Sequence, residues 1–247
     1  IYLATSRGLN ISTDGCSTFV NRTEIDGLGS RYVRSIFASG STVYAATAGG
    51  GLSISTNGGS AFVNRSTSNG LGSNDVLGVF ASGGTVYAAT TGGLSISTDG
   101  GSTFARRSTA NGLGSNAVNS VYVTGDSVYA ATGNGLSISI DGGRTFTNRL
   151  FSIGLDDDDN DVNDVYVFGS TVYAATGAGL FISTDGGLTF TSRGTADGLG
   201  SDSVLGVYAS GGTVFAATAN GLSISTDGGG RFRNRSTVNG LGGNAVR

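Results

Sequence analysis

The 247-residue sequence contains no proline, histidine, methionine or tryptophan, and it also lacks lysine and glutamine. Without histidine, Ser-His and Cys-His nucleophile pairs and imidazole metal sites are excluded. Without lysine, all 14 basic side chains are arginines. Net charge is −3 and no basic run exceeds Arg106-Arg107, so the clustered cations that hold nucleic acid phosphates are missing. The single cysteine, Cys16, excludes an internal disulfide and reads as a surface turn residue. No apolar stretch approaches the ~20 residues that span a bilayer, and nothing at the start reads as a signal peptide. A chain that begins at Ile1 instead of Met is expected to be processed, trimmed or part of a longer product.

What the sequence does have is repetition. Ser97-Thr98-Asp99-Gly100-Gly101-Ser102-Thr103-Phe104 recurs, with variations, at residues 12–19, 55–62, 139–146, 183–190 and 225–232. The third position is Asp14, Asn57, Asp99, Asp141, Asp185 and Asp227, and the spacings are 43, 42, 42, 44 and 42 residues. A period of this length, with strand-like runs between turn signals, indicates a propeller or an array. Glycine, at 45 residues, would suggest low complexity, yet apolar residues make up 38% of the chain and alternate with polar ones, which marks a folding sequence. A short acidic side chain ahead of two glycines can fold back on the amides that follow it. The aromatic at the eighth position, Phe19, Phe62, Phe104, Phe146, Phe190 or Phe232, then enters the core.

Ser-x-Asp-x-Gly-x-x-aromatic resembles the Asp-box, or bacterial neuraminidase repeat, which sits on the turn between the third and fourth strands of propeller blades. Here Phe replaces the more usual Trp throughout, Asn57 replaces one Asp, and Cys16 replaces one second glycine. The resemblance covers nearly the whole chain. It implies a scaffold shared by sialidases, other glycan hydrolases, sorting-receptor ectodomains and non-enzymatic assembly factors, and leaves function open.

One repeat reads as four strands: 118–123, 127–132, about 136–139, and 145–149, followed by a Gly-, Asn- and Ser-rich return that reads as a flexible connection. The first is an apolar strand of the fully buried kind, lining a central channel. The second is thinned by Ala130 and Ala131 where blades pack closely. The expected fold is all-β: one domain over residues 1–247, a six-bladed β-propeller of four-stranded antiparallel blades. Its last blade is closed by both termini, from residues 1–30 and 243–247. The innermost strand of that split blade is short, which leaves an edge through which copies could self-associate.

Chemistry-bearing residues are sparse. A sialidase-type hydrolase needs a Tyr activated by a carboxylate, a separate acid and converging arginines, and Glu24 is the single Glu. Arg22, Arg65, Arg107, Arg149, Arg193 and Arg235 fall one per blade. They read as charged protection of outer strands, with a ligand-facing role as the alternative. Asp156, Asp157, Asp158 and Asp159 read as a solvated acidic loop, with calcium coordination as the alternative; no other cofactor is expected. Tyr44, Tyr87, Tyr129 and Tyr173, with Phe215 and Tyr2 at the matching position, read as inter-blade core, with sugar stacking as the alternative. Asn10, Asn21, Asn64 and Asn234 open Asn-x-Ser/Thr sequons, which chance provides in such a composition. The expected function is a non-enzymatic extracellular or surface module that binds a protein or a glycan, without nucleic acid or a membrane span. The alternatives are an Asp-box glycosidase, whole or fragment, and a consensus-designed scaffold.

Overall fold

The computed structural model describes residues 1–151 and 160–246. It contains five four-stranded antiparallel sheets and one three-stranded sheet, and in each the strands follow chain order. The first sheet is β1 (Tyr2–Thr5), β2 (Gly8–Ile11) and β3 (Val20–Arg22). The second runs through β4 (Val33–Ser39), β5 (Thr42–Thr47), β6 (Gly51–Ser55) and β7 (Val63–Arg65), and the third through β8 (Val76–Ser82), β9 (Thr85–Thr90), β10 (Gly93–Ser97) and β11 (Ala105–Arg107). The fourth comprises β12 (Val118–Thr124), β13 (Ser127–Thr132), β14 (Gly135–Ser139) and β15 (Thr147–Arg149). The fifth is β16 (Val162–Phe168), β17 (Thr171–Thr176), β18 (Gly179–Ser183) and β19 (Thr191–Arg193). The sixth is β20 (Val204–Ser210), β21 (Thr213–Thr218), β22 (Gly221–Ser225) and β23 (Arg233–Arg235). Contacts group the chain into two compact units, Ile1–Val123 and Thr124–Arg247.

Strand residues alternate between two faces, and each face has its own set. In the first unit Tyr44, Ala46, Leu52 and Ile54 of the second sheet pack against Leu71, Val76, Val79, Val86, Ala88 and Phe104 of the third. The second unit repeats this, with Tyr173, Ala175, Leu180 and Ile182 packed against Val204, Val207, Val214, Ala216 and Phe232. Small alanines in β5, β9, β17 and β21 let neighbouring sheets approach. Thus Tyr44 and Tyr173 are buried between sheets, Tyr87 and Tyr129 are buried as well, and burial raises the Tyr44 and Tyr173 phenols above their ordinary value.

Two local expectations are corrected. The first strands are only partly buried, alternating buried with half-exposed positions, and four of them shift register after their first residue, as between Val76 and Gly78. The bulge twists the strand and brings Phe37, Phe80 and Tyr122 side by side with ring centroids 4.8 and 5.1 Å apart. The returns are not unstructured: residues Thr67–Asn69, Thr109–Asn111, Thr195–Asp197, Thr237–Asn239 and Glu24–Asp26 form 3-10 turns. Ser66, for example, accepts from the Ser68 amide while Asn69 Oδ1 accepts from the Ser66 amide. Ser and Asn compete for backbone groups in this way, so the composition that reads as flexible forms caps.

Successive sheets approach closely at the second glycine of the octet. Gly59, Gly101, Gly187 and Gly229 have φ between 87° and 98°, and a Cβ on each would run into Cδ1 of Ile11, Ile54, Ile138 and Ile182 of the preceding sheet. Gly100, with φ of 72°, has open space around it. Gly100→Ala therefore suffers the left-handed backbone cost alone, about 1–2 kcal/mol. Gly101→Ala adds overpacking, for a total of roughly 2–4 kcal/mol. Denaturant melts of the two variants should place Gly101→Ala clearly lower, and equal midpoints would contradict the packing account.

Candidate functional site

The octet turn is built around its carboxylate. Ser97 Oγ donates to Asp99 Oδ1 at 2.6 Å and accepts from the Gly101 amide at 2.8 Å. Asp99 Oδ1 accepts from the Ser102 and Thr103 amides at 3.0 and 2.9 Å, and Oδ2 from the Thr103 hydroxyl at 2.6 Å. Asp141 and Asp185 repeat the pattern with Thr145 and Thr189, and Asp14 does so with Thr18. At Asn57 the residue four positions on is Ala61, which has no hydroxyl to give; Asn57 Oδ1 still accepts from the Ser60 and Ala61 amides, both at 3.1 Å. Asp227 accepts from the Gly230 and Arg231 amides.

These bonds favour the ionised carboxyl. Hydrogen bonds from Thr18, through hydroxyl and amide, and from Ser12 lower Asp14 from 3.8 to about 2. Asp99, Asp141 and Asp185 lie further below the ordinary value, held first by Ser97, Ser139 and Ser183 and then by the threonines. Asp227 is lowered by Ser225 and the Arg231 amide.

Phe62, Phe104, Phe146 and Phe232 are buried and Phe190 is half-buried, whereas Phe19 is 40% exposed. The Phe62, Phe104 and Phe232 amides donate to the Asp26, Asn69 and Asp197 carbonyls of the preceding 3-10 turn. The outer-strand arginines reach forward to the same place. Nε of Arg22, Arg65 and Arg193 donates to the carbonyls of Gly59, Gly101 and Gly229 at 3.0, 2.8 and 2.9 Å. Arg107 is half-buried on β11 and Arg235 is exposed on β23. Arg149 has its Nε buried without a hydrogen-bond partner. The sequon asparagines Asn64 and Asn234 are tied in as well: their side chains accept from Ser53 and Ser223 and donate to the Gly50 and Asn220 carbonyls.

Departures from the repeat sort themselves in space. In the fifth sheet Phe181 stands where other repeats have Ser95, Ser137 or Ser223. Phe151, a residue the sequence reading passed over, packs on it with centroids 4.4 Å apart, and meets Phe190 edge-on at 5.1 Å. Asp156, Asp157, Asp158 and Asp159, the candidate calcium ligands, lie outside the described residues; among the described residues no group of three or more His, Cys, Asp or Glu could hold a metal.

The first return departs most. Elsewhere an Asn or Asp side chain accepts from the amide seven or nine residues back, as Asn74 does from Thr67 at 2.8 Å, Asn160 from Phe151 at 2.9 Å and Asp202 from Thr195 at 2.7 Å. Residue 31 is Arg and cannot accept, so the bond runs the other way: Glu24 Oε1 accepts from the Arg31 amide at 2.8 Å. Amide bonds from its own residue and from Arg31, with the Arg31 charge, hold the Glu24 carboxyl below its ordinary value. Around it opens a cleft of about 520 Å³ lined by Ser6, Arg7, Thr23, Glu24, Ile25, Arg31 and Tyr32. The Arg31 guanidinium lies 5.6 Å from the Tyr32 ring centroid and Ile25 is 96% exposed.

No protein-family model matches the chain, and no curated protein does. Solved structures do. The extracellular domain of BT4673 from B. thetaiotaomicron, described as a hybrid two component system, superposes with a TM-score of 0.76 at 18% identity over 99% of this chain and 34% of its own. An ancestral GH74 enzyme superposes at 0.70 with 17% identity over 94% of this chain and 36% of its own. YCF48 from Cyanidioschyzon merolae gives 0.65 at 18% identity over 100% and 84%; a further structure has YCF48 bound to D1 peptide. The fold is a β-propeller, all-β and six-bladed. At these identities the likeness extends to fold alone, and the chain spans about a third of the length of the first two structures. Among the described residues no helix is long and apolar enough to cross a membrane.

Two measurements check this geometry. Arg65→Ala removes a half-buried bond to a carbonyl and should lower stability by about 0.5–1.5 kcal/mol, whereas Arg235→Ala, at an exposed position, should stay within about 0.5 kcal/mol of the parent. The octet carboxyls have depressed values, so their stabilisation is complete above the ordinary 3.8 and is lost as pH falls through the folded values, about 2 for Asp14. Replacing Asp14, Asp99, Asp141 and Asp185 together by Asn, the residue at position 57, should flatten the fall in urea midpoint below pH 3.8. An unchanged acid profile would contradict the carboxylate bonding.

Proposed function

We propose that the chain is a non-enzymatic binding module of the Asp-box kind, displayed extracellularly or at a cell surface, whose ligand is a glycan or a protein segment held in the cleft of the first return. The carrying observation is the clustering of non-repeat residues. Glu24 replaces Thr or Phe, Ile25 replaces Ser, Ala or Val, Arg31 replaces Asn or Asp, and Tyr32 replaces Asp, Ala or Ser of the other described returns, and Arg7 replaces a Gly, Asn or Ala. Since the other repeats build their sheets without them, the fold does not require these residues. Exposed, chemically distinctive loop residues on a rigid scaffold are where binding resides. Two guanidiniums, an ionised carboxylate, a tyrosine ring and an exposed isoleucine offer donors, an acceptor and apolar surface within one cleft.

A hydrolytic role finds less support. A general acid needs a raised value near neutrality, and Glu24 and the octet aspartates with shifted values all move downward. The structural likeness to a GH74 enzyme keeps the glycosidase as the second reading, and the extracellular domain and the peptide-bound neighbour favour the first. Screening on glycan and peptide arrays, beside assays of sialoside and glucan hydrolysis, separates them. We expect binding without turnover, and loss of that binding in the Arg7→Ala, Arg31→Ala double variant with an unchanged melting temperature. Turnover abolished by Glu24→Gln would replace the binding reading with the enzymatic one.

A further inference from the structure

In the second unit the fifth and sixth sheets pack on one another, with Ile182 of the former in one cluster with Val214 and Phe232 of the latter. At that junction a cleft of about 220 Å³ opens, lined from the fifth repeat by Thr184, Thr189, Thr191 and Arg193 and from the sixth octet by Asp227 and Gly230. Both walls belong to neighbouring sheets of one unit.

Two departures from the repeat meet at one oxygen in this cleft. Asp227 Oδ1 accepts from the Ser225 hydroxyl at 2.6 Å and from the Gly230 and Arg231 amides at 2.9 and 3.1 Å, whereas Oδ2 accepts from no described residue. In four other octets that oxygen receives a threonine hydroxyl at 2.6 Å, from Thr18, Thr103, Thr145 or Thr189. The sixth octet has Arg231 in that place. The residue before it is Ser17, Ser60, Ser102, Arg144 or Leu188 elsewhere and Gly230 here, and a Cβ on Gly230 would stand 2.9 Å from Asp227 Oδ2. One change removes the donor and the other clears the space beside the acceptor.

The facing wall is polar as well. Arg193 gives Nε to the Gly229 carbonyl and Nη1 to the Ser192 carbonyl, both at 2.9 Å, and its Nη2 has no acceptor among the described residues. Thr184 and Thr191 are exposed, and their hydroxyls have no partner among the described residues. Where the fifth sheet has Thr191, the first three have Val20, Val63 and Ala105, so an outer strand forms without that hydroxyl. Ile182 also lines the cleft.

We infer that this cleft is a second binding site, separate from the first return, and that it takes a neutral saccharide unit. One sugar hydroxyl donates to Asp227 Oδ2 while its neighbour accepts from Arg193 Nη2, and the threonine hydroxyls serve in either sense. The Ser225 hydroxyl and the Arg231 amide hold the Asp227 carboxyl below its ordinary value, so at neutral pH it accepts only. Ile182 offers apolar contact to the C–H face of a ring. One positive and one negative group give no net attraction for an anion. A carboxylate ligand also finds no side-on fork, because the Arg193 Nε is already given to Gly229.

Titration of the purified chain with glucose, galactose, mannose and N-acetylglucosamine, followed by NMR shifts of the backbone amides, tests the inference. We expect at least one of these sugars to shift the Thr191, Gly228 and Gly230 amides saturably. The Arg7→Ala, Arg31→Ala double variant should bind it at these amides as the parent does, so the two sites fail separately. Gly230→Ser with Arg231→Thr restores the Ser102-Thr103 sequence of the third octet and returns a hydroxyl to Oδ2. That variant should keep or raise the melting temperature and bind about tenfold more weakly or not at all. Thr191→Val, with the residue of position 63, should weaken binding about threefold or more. Absence of saturable shifts with all four sugars overturns the inference, as does binding that the Gly230→Ser, Arg231→Thr variant keeps or that the Arg7→Ala, Arg31→Ala variant loses. Shifts at these amides from glycylglycine and from none of the sugars would overturn it in favour of a zwitterionic peptide.

Discussion

The structure depends on a position that in all octets but the first carries no side chain. In four octets the second glycine faces an isoleucine of the preceding sheet, and in three of these its carbonyl receives an arginine Nε. A Cβ there would force the isoleucine end aside and strain a left-handed backbone. The octet carboxylate belongs to the same constraint, since it holds the turn that presents the glycine. Serine, aspartate, glycine and arginine thus form one connected device, with hydroxyl, carboxylate, bare backbone and guanidinium in contact across two sheets.

The period and the alternating apolar residues made the sheets legible before any coordinates, because both are one-dimensional signals. The strands 127–132 and 136–139 could be read from the sequence for that reason. The 3-10 turns could not. Their signal is a Ser or Thr followed three residues later by Asn or Asp, which in a chain this rich in those residues reads equally as loop. The role of Arg65 was hidden differently: its acceptor is 36 residues away and is a backbone carbonyl, which no side-chain pattern reveals. Glu24 is intermediate. Its uniqueness was plain in the sequence, whereas its partner follows only when position 31 is aligned with Asn74 and found unable to accept.

The deviations also show how a repeat protein separates folding from chemistry. Asn57 with Ala61, and Phe181 with Phe151, are paired changes that keep a turn or a core contact satisfied. Arg7, Ile25 and Tyr32 have no such compensating partner within the sheets and line open space. Substitutions that restore a lost bond maintain the scaffold, and those that restore nothing mark a surface free to specialise.

The forward reach of the arginines has a kinetic meaning. Arg22, Arg65 and Arg193 each find their acceptor 36 or 37 residues downstream, so the bonds joining successive sheets close loops of one length. Loop-closure entropy is then nearly the same at each of these three junctions, and none of the three waits on a distant part of the chain. Folding can start at any repeat and spread to its neighbours, with cooperativity set by nearest-neighbour terms. Because the arginine lies upstream of its glycine, a ribosome finishes each donor before its acceptor emerges, and every new turn meets a sheet already prepared to receive it.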